Sequence, residues 1–525
     1  MQHMLLPGKP TQMTAGRQRS ITARFVWRRV TSLSNRTSPR GTTRRPLVLV
    51  AMILTMFMVA VEATIVATAL PSIVADLGGF DRFSWVFAIY LLTQAVTVPI
   101  YGRLADLYGR KPMFILGATV FLGGSVACGF AHDMVALIVF RAIQGIGAGA
   151  LQPIAFTVIG DIYTTEERGR VQGALSSVWG ISAIVGPLLG AFIVEHVGWQ
   201  LVFWINLPIG VAAVAVLGFF LHENVARREH QIDWLGAILF AAGTTALLLA
   251  LIQGATLSRA TLVGLLVAAV ALIGGFLWLQ GRVREPMMQL DLWRHRVILT
   301  GNLGTLFTGA IMMGVTSVLP IYVQGVIGGP PLAAGIVIGA MSIGWPAANM
   351  IGGRLMGRAS YRAIASAGGV ALIAGSVVLL MLTPDRGMPW AVMGSLIIGV
   401  GMGFTNVVFL VSIQGSVGWE RRGAVTSLMV FMRALGQATG AALYGAILNY
   451  GLHRRLPGST GLVDRLMDPV QRHGLAGGEI ERLTTAIAGS LHEVYWVSGV
   501  LAVATLLAAL RIPLGLKPAR GGPAR

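Results

Sequence analysis

The chain has 525 residues, of which 55% are hydrophobic and only 12% charged, with a mean hydropathy of +0.73. Soluble domains average about 25% charged residues, so the composition excludes an ordinary soluble protein and indicates an integral membrane one. A net charge of +19 raises nucleic acid as a partner, but the basic residues sit in short loops between apolar spans without interleaved aromatics, which argues against it. The single cysteine, Cys128, excludes a disulfide framework and a Cys-based metal site, and within its apolar run it reads as a small core residue.

Residues 1–45 contain ten Lys and Arg and no Asp or Glu, which predicts a basic cytoplasmic tail drawn to anionic headgroups. No apolar segment of signal-peptide form precedes Arg44-Arg45, and the run from Pro46 to Leu70 is long enough to act as a signal anchor. Stretches of membrane-spanning length then recur at 46–70, 84–102, 113–131, 134–160, 171–194, 201–221, 234–254, 261–281, 298–325, 332–353, 361–383, 388–414, 423–449 and 490–512. Alternate loops are basic. Arg103, Arg110, Lys111, Arg168, Arg170, Arg227, Arg228, Arg354, Arg358, Arg421 and Arg422 fall on one side, against Arg82, Arg259 and Arg386 in short loops on the other. Fourteen spans put both termini in the cytoplasm. The long segment Gly451–Gly489 is predicted to be an outside loop, with a short surface helix over Gly478–Gly489.

Gly353-Arg354-Leu355 and Gly357-Arg358 echo Gly102-Arg103-Leu104 and Gly109-Arg110 about half the chain later, an internal repeat of the kind that marks transporter folds. The expected fold is therefore all-α and membrane-integral. It comprises a basic tail (1–45), a six-helix bundle (46–222), an inserted helix pair with flanking loops (223–297), a second six-helix bundle (298–512) with its extracytoplasmic loop 451–489, and a cytoplasmic tail (513–525).

Between the second and third spans runs Gly102-Arg103-Leu104-Ala105-Asp106-Leu107-Tyr108-Gly109-Arg110-Lys111-Pro112, a short basic hairpin whose glycines permit a tight turn. The pattern Gly-x-Leu-Ala-Asp-x-x-Gly-Arg-Lys resembles the signature loop between helices 2 and 3 of the major facilitator superfamily of secondary transporters. In the fifth span Gly173, Ser182, Gly186, Pro187, Gly190 and Ala191 fall at spacings resembling the antiporter motif of drug exporters. Small residues there allow close helix packing, and Pro187 is a candidate hinge. The run from Val61 to Pro71 and the run from Trp199 to Gly210 are similar to motifs of the fourteen-helix drug:proton antiporters, the EmrB/QacA group. In that group Asp usually stands at Glu62 and Arg at Gln200.

Glu62 is also reached without the resemblance, as the one acid well inside a predicted span. It lies ~12 Å below the outer end of its helix, and Arg141 lies ~10 Å from the outer start of the fourth, at the 1.5 Å rise per residue. The two are expected to pair and to couple protons; a static ion pair is the structural alternative. The resemblance implies that Gly102, Asp106, Gly109 and Arg110 gate the cytoplasmic face. Gln94, Gln144, Gln152, Asn302, Asn406, Arg433 and Gln437 are candidates to line a substrate cavity, although amides at membrane depth often glue helices together and Arg433 has Gln437 or backbone carbonyls as expected partners.

Histidines are scattered, and no nucleophile elbow, phosphate loop or zinc spacing occurs, so an enzyme is not expected. The implied activity is proton-gradient-driven export of small amphiphilic or cationic compounds across a bacterial cytoplasmic membrane, without a cofactor, and with a periplasmic adaptor as partner where the host has an outer membrane. Export of a lipid or an amphiphilic metabolite is the alternative, followed by a non-transporting membrane sensor.

Overall fold

The computed structural model describes residues 43–78, 83–223, 233–253, 257–283, 286, 288, 290–329, 331–456 and 476–513. Most of both predicted tails, Arg82, Arg227, Arg228 and much of the 451–489 loop lie outside the described residues.

Long helices follow one another through the described chain: α1 (Arg45–Leu77), α2 (Phe83–Tyr108), α3 (Arg110–Gly129), α4 (Met134–Ile162), α5 (Thr165–His196), α6 (Gln200–Phe220), α7 (Trp234–Gln253), α8 (Arg259–Gln280), α9 (Arg296–Val326), α10 (Pro331–Leu355), α11 (Tyr361–Leu380), α12 (Gly387–Gly415), α13 (Arg422–Arg455) and α14 (Gly477–Leu510). Among the described residues, twelve are long and apolar enough to cross a membrane. The other two, α5 and α13, have the length but are more polar: α5 opens on Glu166, Glu167 and Arg168, while α13 carries Arg433 and ends on His453, Arg454 and Arg455.

Local chemistry sets the helix ends. Asp133 starts α4 by accepting from the Ala136 N–H at 2.8 Å, and Thr164 and Glu167 cap α5 reciprocally. Within α9, wide π-type turns over Gly314–Val318 and Tyr322–Val326 flank Pro320, whose ring leaves no N–H for an ordinary turn.

Two expectations are corrected. The hairpin Gly102–Pro112 is no loop. Helix α2 runs on to Tyr108, Gly109 alone pivots at φ 99°, and α3 begins at Arg110. The basic and acidic residues of the motif are therefore held on helix ends, and only glycine adopts that pivot without strain. Likewise Gly478–Gly489 is no separate surface helix. It is the opening of α14, and α13 reaches Arg455, so helical backbone takes up both ends of the predicted 451–489 loop.

The helices α1–α6 pack on one another, as do α9–α14, and the two sets meet along α2–α13 and α5–α10. The inserted α7 and α8 pair together, with α7 lying on both α2 and α13, where Phe240 touches Phe431 at a ring separation of 5.4 Å. Outer faces are apolar: Val267, Val270 and Trp278 of α8 are all more than 60% exposed, as side chains facing lipid would be.

Close approach of α3 and α4 depends on Gly147, where an added Cβ would collide with the Phe121 backbone nitrogen and the Gly117 carbonyl. Gly147→Val should therefore cost about 1–3 kcal/mol and lower the thermal unfolding temperature. Gly274→Ala, into open space on α8, should leave it unchanged or raise it slightly. Equal melting of both variants would show that the α3–α4 packing is not so tight.

Candidate functional site

Glu62 and Arg141 form a direct ion pair with side chains 0% and 1% exposed. The first helix supplies the acid, and α4 supplies the base at the matching depth. Neither charge is left to the pair alone. Arg141 donates to Gln144 Oε1 at 2.6 Å and to the Val86 carbonyl at 3.1 Å, and its guanidinium lies 4.2 Å from the Tyr90 ring centroid. The second Glu62 oxygen accepts from Asn206 Nδ2 at 2.6 Å. Gln144 then donates to Ser125 Oγ at 2.7 Å, which also lies 3.4 Å from Asn206. Five helices thus meet at one sealed carboxylate. Removing either charge would strand the other in a dry site, at a cost of about 3–5 kcal/mol.

The second cluster lies where α2 ends. Asp106, in the last turn of α2, pairs with Arg110 at 2.8 Å and accepts from the backbone N–H groups of Gly423 and Ala424 at 2.9 and 2.7 Å. Its charge therefore meets the positive end of α13 in the opposite bundle. Arg110 bonds Asp161 at 3.1 Å and the Trp419 carbonyl at 2.6 Å, with the guanidinium 3.9 Å from the Trp419 ring centroid. From the other bundle Arg422 reaches Asp161 and the Gly160 carbonyl, each at 3.0 Å, and Gln414 donates to the Phe156 carbonyl at 3.1 Å. A Cβ on Gly102 would strike Ser427, so bare backbone is needed for α2 and α13 to touch. These polar links between the bundles all lie at one end of the molecule.

Glu223, just after α6, accepts from the backbone N–H groups of Arg110 and Lys111 at 3.2 and 3.0 Å. Gly109 has no side chain with which to cap α3, so the cap comes from 113 residues away. Burial raises the Glu223 carboxyl above the ordinary glutamate value, and Asp161 adds to the shift; the two N–H bonds and Arg110 oppose it.

The Major Facilitator Superfamily profile matches residues 52–441. The chain belongs to this superfamily. It is 36% identical over 403 residues to Multidrug resistance protein 3 of Bacillus subtilis (strain 168), covering 76% of this chain and 79% of that one. It is 33% identical over 409 residues to Multidrug transporter protein MdtP of the same strain, covering 77% and 76%. Among solved structures, the proton:xylose symporter XylE superposes with a TM-score of 0.57 at 12% identity, over 88% of this chain and 94% of that one, a likeness of fold. This major facilitator protein is a transporter and not an enzyme.

The remaining predicted residues divide by environment. Gly173 lets α5 approach Met350 of α10, and Gly186 seats α5 against Thr64 of α1; Gly190 is buried, and the backbone through Pro187 is continuous helix. Gln144 is committed to the Glu62 cluster and not to a cavity. Arg433, expected to bond Gln437 or backbone carbonyls, makes no hydrogen bond or ion pair among the described residues, while Gln437 Nε2 instead contacts the Met312 sulfur at 3.2 Å. Asn302 is fully buried with neither amide atom bonded, Gln152 is buried, and Gln94 and Asn406 are half-buried. Sequence reasoning missed Ser125, Asp161, Asn206, Glu223, Trp419 and Gly423 as site residues. Only Asn206 carried a signal, lying inside the quoted run from Trp199 to Gly210; the others join the clusters by contacts distant in sequence.

Two outcomes follow for the Asp106–Arg110 cluster. Asp106→Asn keeps an acceptor but removes the charge facing Arg110 and α13, so the closed end should lose about 1.5–3 kcal/mol. Spin-label distances between the adjoining ends of α2 and α13 should lengthen and broaden; an unchanged distribution would show that Asp106 does not hold these ends together. For Glu223 the folded state holds its proton more tightly than the unfolded chain, so its contribution is present at low pH and declines as pH rises past the ordinary glutamate value. In a pH series of melting curves the wild type should lose stability relative to Glu223→Gln across that window, and parallel curves would contradict the assignment.

Proposed function

We propose that this chain is a proton-coupled exporter of small amphiphilic or cationic compounds, a multidrug efflux antiporter working by alternating access in a bacterial cytoplasmic membrane. All fourteen long helices cross the bilayer in this reading, with both termini in the cytoplasm, which accords with the basic loops on one side and with the multidrug transporters of Bacillus subtilis among its relatives. The observation that carries the coupling is the sealed Glu62–Arg141 pair. A carboxylate in this position is paired while the cytoplasmic end is closed. A proton delivered to it cancels the ion pair, leaving Asn206 on a neutral carboxyl and Arg141, still a cation, on Gln144 and the Val86 carbonyl alone, which changes how α1 sits on α4 and α6. Protonation and bundle position then depend on each other, as antiport requires.

Arg433 favours a second reading. It is a cation at membrane depth on α13 with no partner among the described residues, whereas Glu62 is already neutralised. Export of an acidic amphiphile, a metabolite or lipid, would give Arg433 its counter-ion.

Purified protein in liposomes separates these readings with a panel of cationic, neutral and anionic compounds. For coupling, Glu62→Gln should abolish accumulation driven by a pH gradient while downhill exchange persists, and Glu62→Asp should retain coupling. Arg141→Ala should be more damaging than Arg141→Lys. Accumulation by Glu62→Gln with unchanged pH dependence would leave the pair a structural one.

A further inference from the structure

At the end of the molecule that carries the Asp106–Arg110 cluster, α9, α11 and α14 border a cavity of about 730 Å³. Its position follows from the chain direction. Helix α13 starts at this end, against Asp106, and successive helices alternate, so α9 and α11 also start here and α14 ends here. Three arginines line it: Arg296 in the first turn of α9, Arg362 in the first turn of α11 and Arg511 at the end of α14. None of the three side chains makes an ion pair or hydrogen bond among the described residues, and no carboxylate lines the cavity. The N-termini of α9 and α11 add positive ends, and Arg511 offsets the negative C-terminal end of α14. Arg296 and Arg511 are exposed and Arg362 is half-buried, so all three are open to a ligand from outside, and like charges around one apolar-walled cavity favour an anion there.

The wall identifies the kind of anion. Leu303 and Phe307 follow Arg296 at intervals that keep to one side of α9, and they carry an apolar surface to ~16 Å below the arginine at the helical rise. Leu507 of α14 faces the same space and is 56% exposed, so the cavity opens sideways toward lipid. A soluble phosphate would satisfy the arginines but leave the apolar wall bare, while a neutral lipid would do the reverse. We propose that this cavity is a binding site for an anionic phospholipid, with its phosphate held by Arg296, Arg362 and Arg511 and an acyl chain lying along Leu303, Phe307 and Leu507. The placement in the cytoplasmic leaflet, and only that, rests on the orientation proposed above.

The test uses the full chain in bilayer discs of phosphatidylcholine containing a minority of phosphatidylglycerol, with retained lipid counted by native mass spectrometry. Symmetric discs make the result independent of orientation and of transport, so failure here leaves the proposed function standing, and failure of transport leaves this site standing. The wild type should retain one phosphatidylglycerol in preference to phosphatidylcholine. Each guanidinium bonded to the phosphate contributes about fivefold, so the triple variant R296Q/R362Q/R511Q should weaken retention by about 100-fold. The double variant R354Q/R358Q, which removes charge from the same end of the molecule away from the cavity, should retain the lipid as the wild type does. Equal loss in both variants would reduce the effect to general attraction of the basic face, and retention by the triple variant would overturn the site. Displacement of the lipid by inorganic phosphate would overturn the lipid assignment in favour of a soluble anion.

Discussion

A charge inside a bilayer has no water to solvate it, and this constraint organises the whole molecule. Glu62 survives at membrane depth because Arg141 neutralises it and Asn206 occupies its second oxygen. Arg141 in turn needs Gln144, a backbone carbonyl and an aromatic face. Satisfying one acid therefore draws α1, α2, α3, α4 and α6 to a single point, and the packing of the first bundle is arranged around that demand. The small residues between these helices serve the same end, since polar side chains this short bond only when backbones approach closely.

The Asp106–Arg110 cluster applies the same rule to a contact between the two bundles. Asp106 and Arg110 belong to one bundle, and the backbone N–H groups and Trp419 that complete their bonding belong to the other. Both bundles supply charge to Asp161, through Arg110 and Arg422. Separating the bundles exposes these groups to water, which solvates them, whereas separating Glu62 from Arg141 within the protein does not. The first network therefore joins the two bundles, and the second lies within one.

Glu223 connects the Asp106–Arg110 cluster to the rest of the first bundle. Gly109 gives the pivot between α2 and α3 its freedom, and that freedom leaves the first N–H groups of α3 without a local cap. The chain leaving α6 supplies the missing carboxylate, so Arg110 is held in place by backbone as well as by its own salt bridges. The inserted α7 touches both bundles, at α2 and at α13.

Much of this was legible in the sequence. Apolar length, loop charge and the Gly102–Pro112 motif indicated a helical membrane protein of two bundles, because the bilayer demands long apolar helices and leaves charge at their ends. The depth of Glu62 and Arg141 was countable along the chain, since a helix converts residue number into distance. What counting cannot provide is rotation about a helix axis and the identity of neighbours across it. Asn206, Asp161, Glu223 and Gly423 therefore became site residues only when the tertiary structure brought them to their partners, up to 318 residues away in the case of Asp106 and Ala424. Arg433 went the other way: a chain position beside Gln437 suggested a bond, and packing directed Gln437 to Met312 instead. Sequence fixes which groups a membrane makes costly to leave alone, and only the packed fold decides which of them meet.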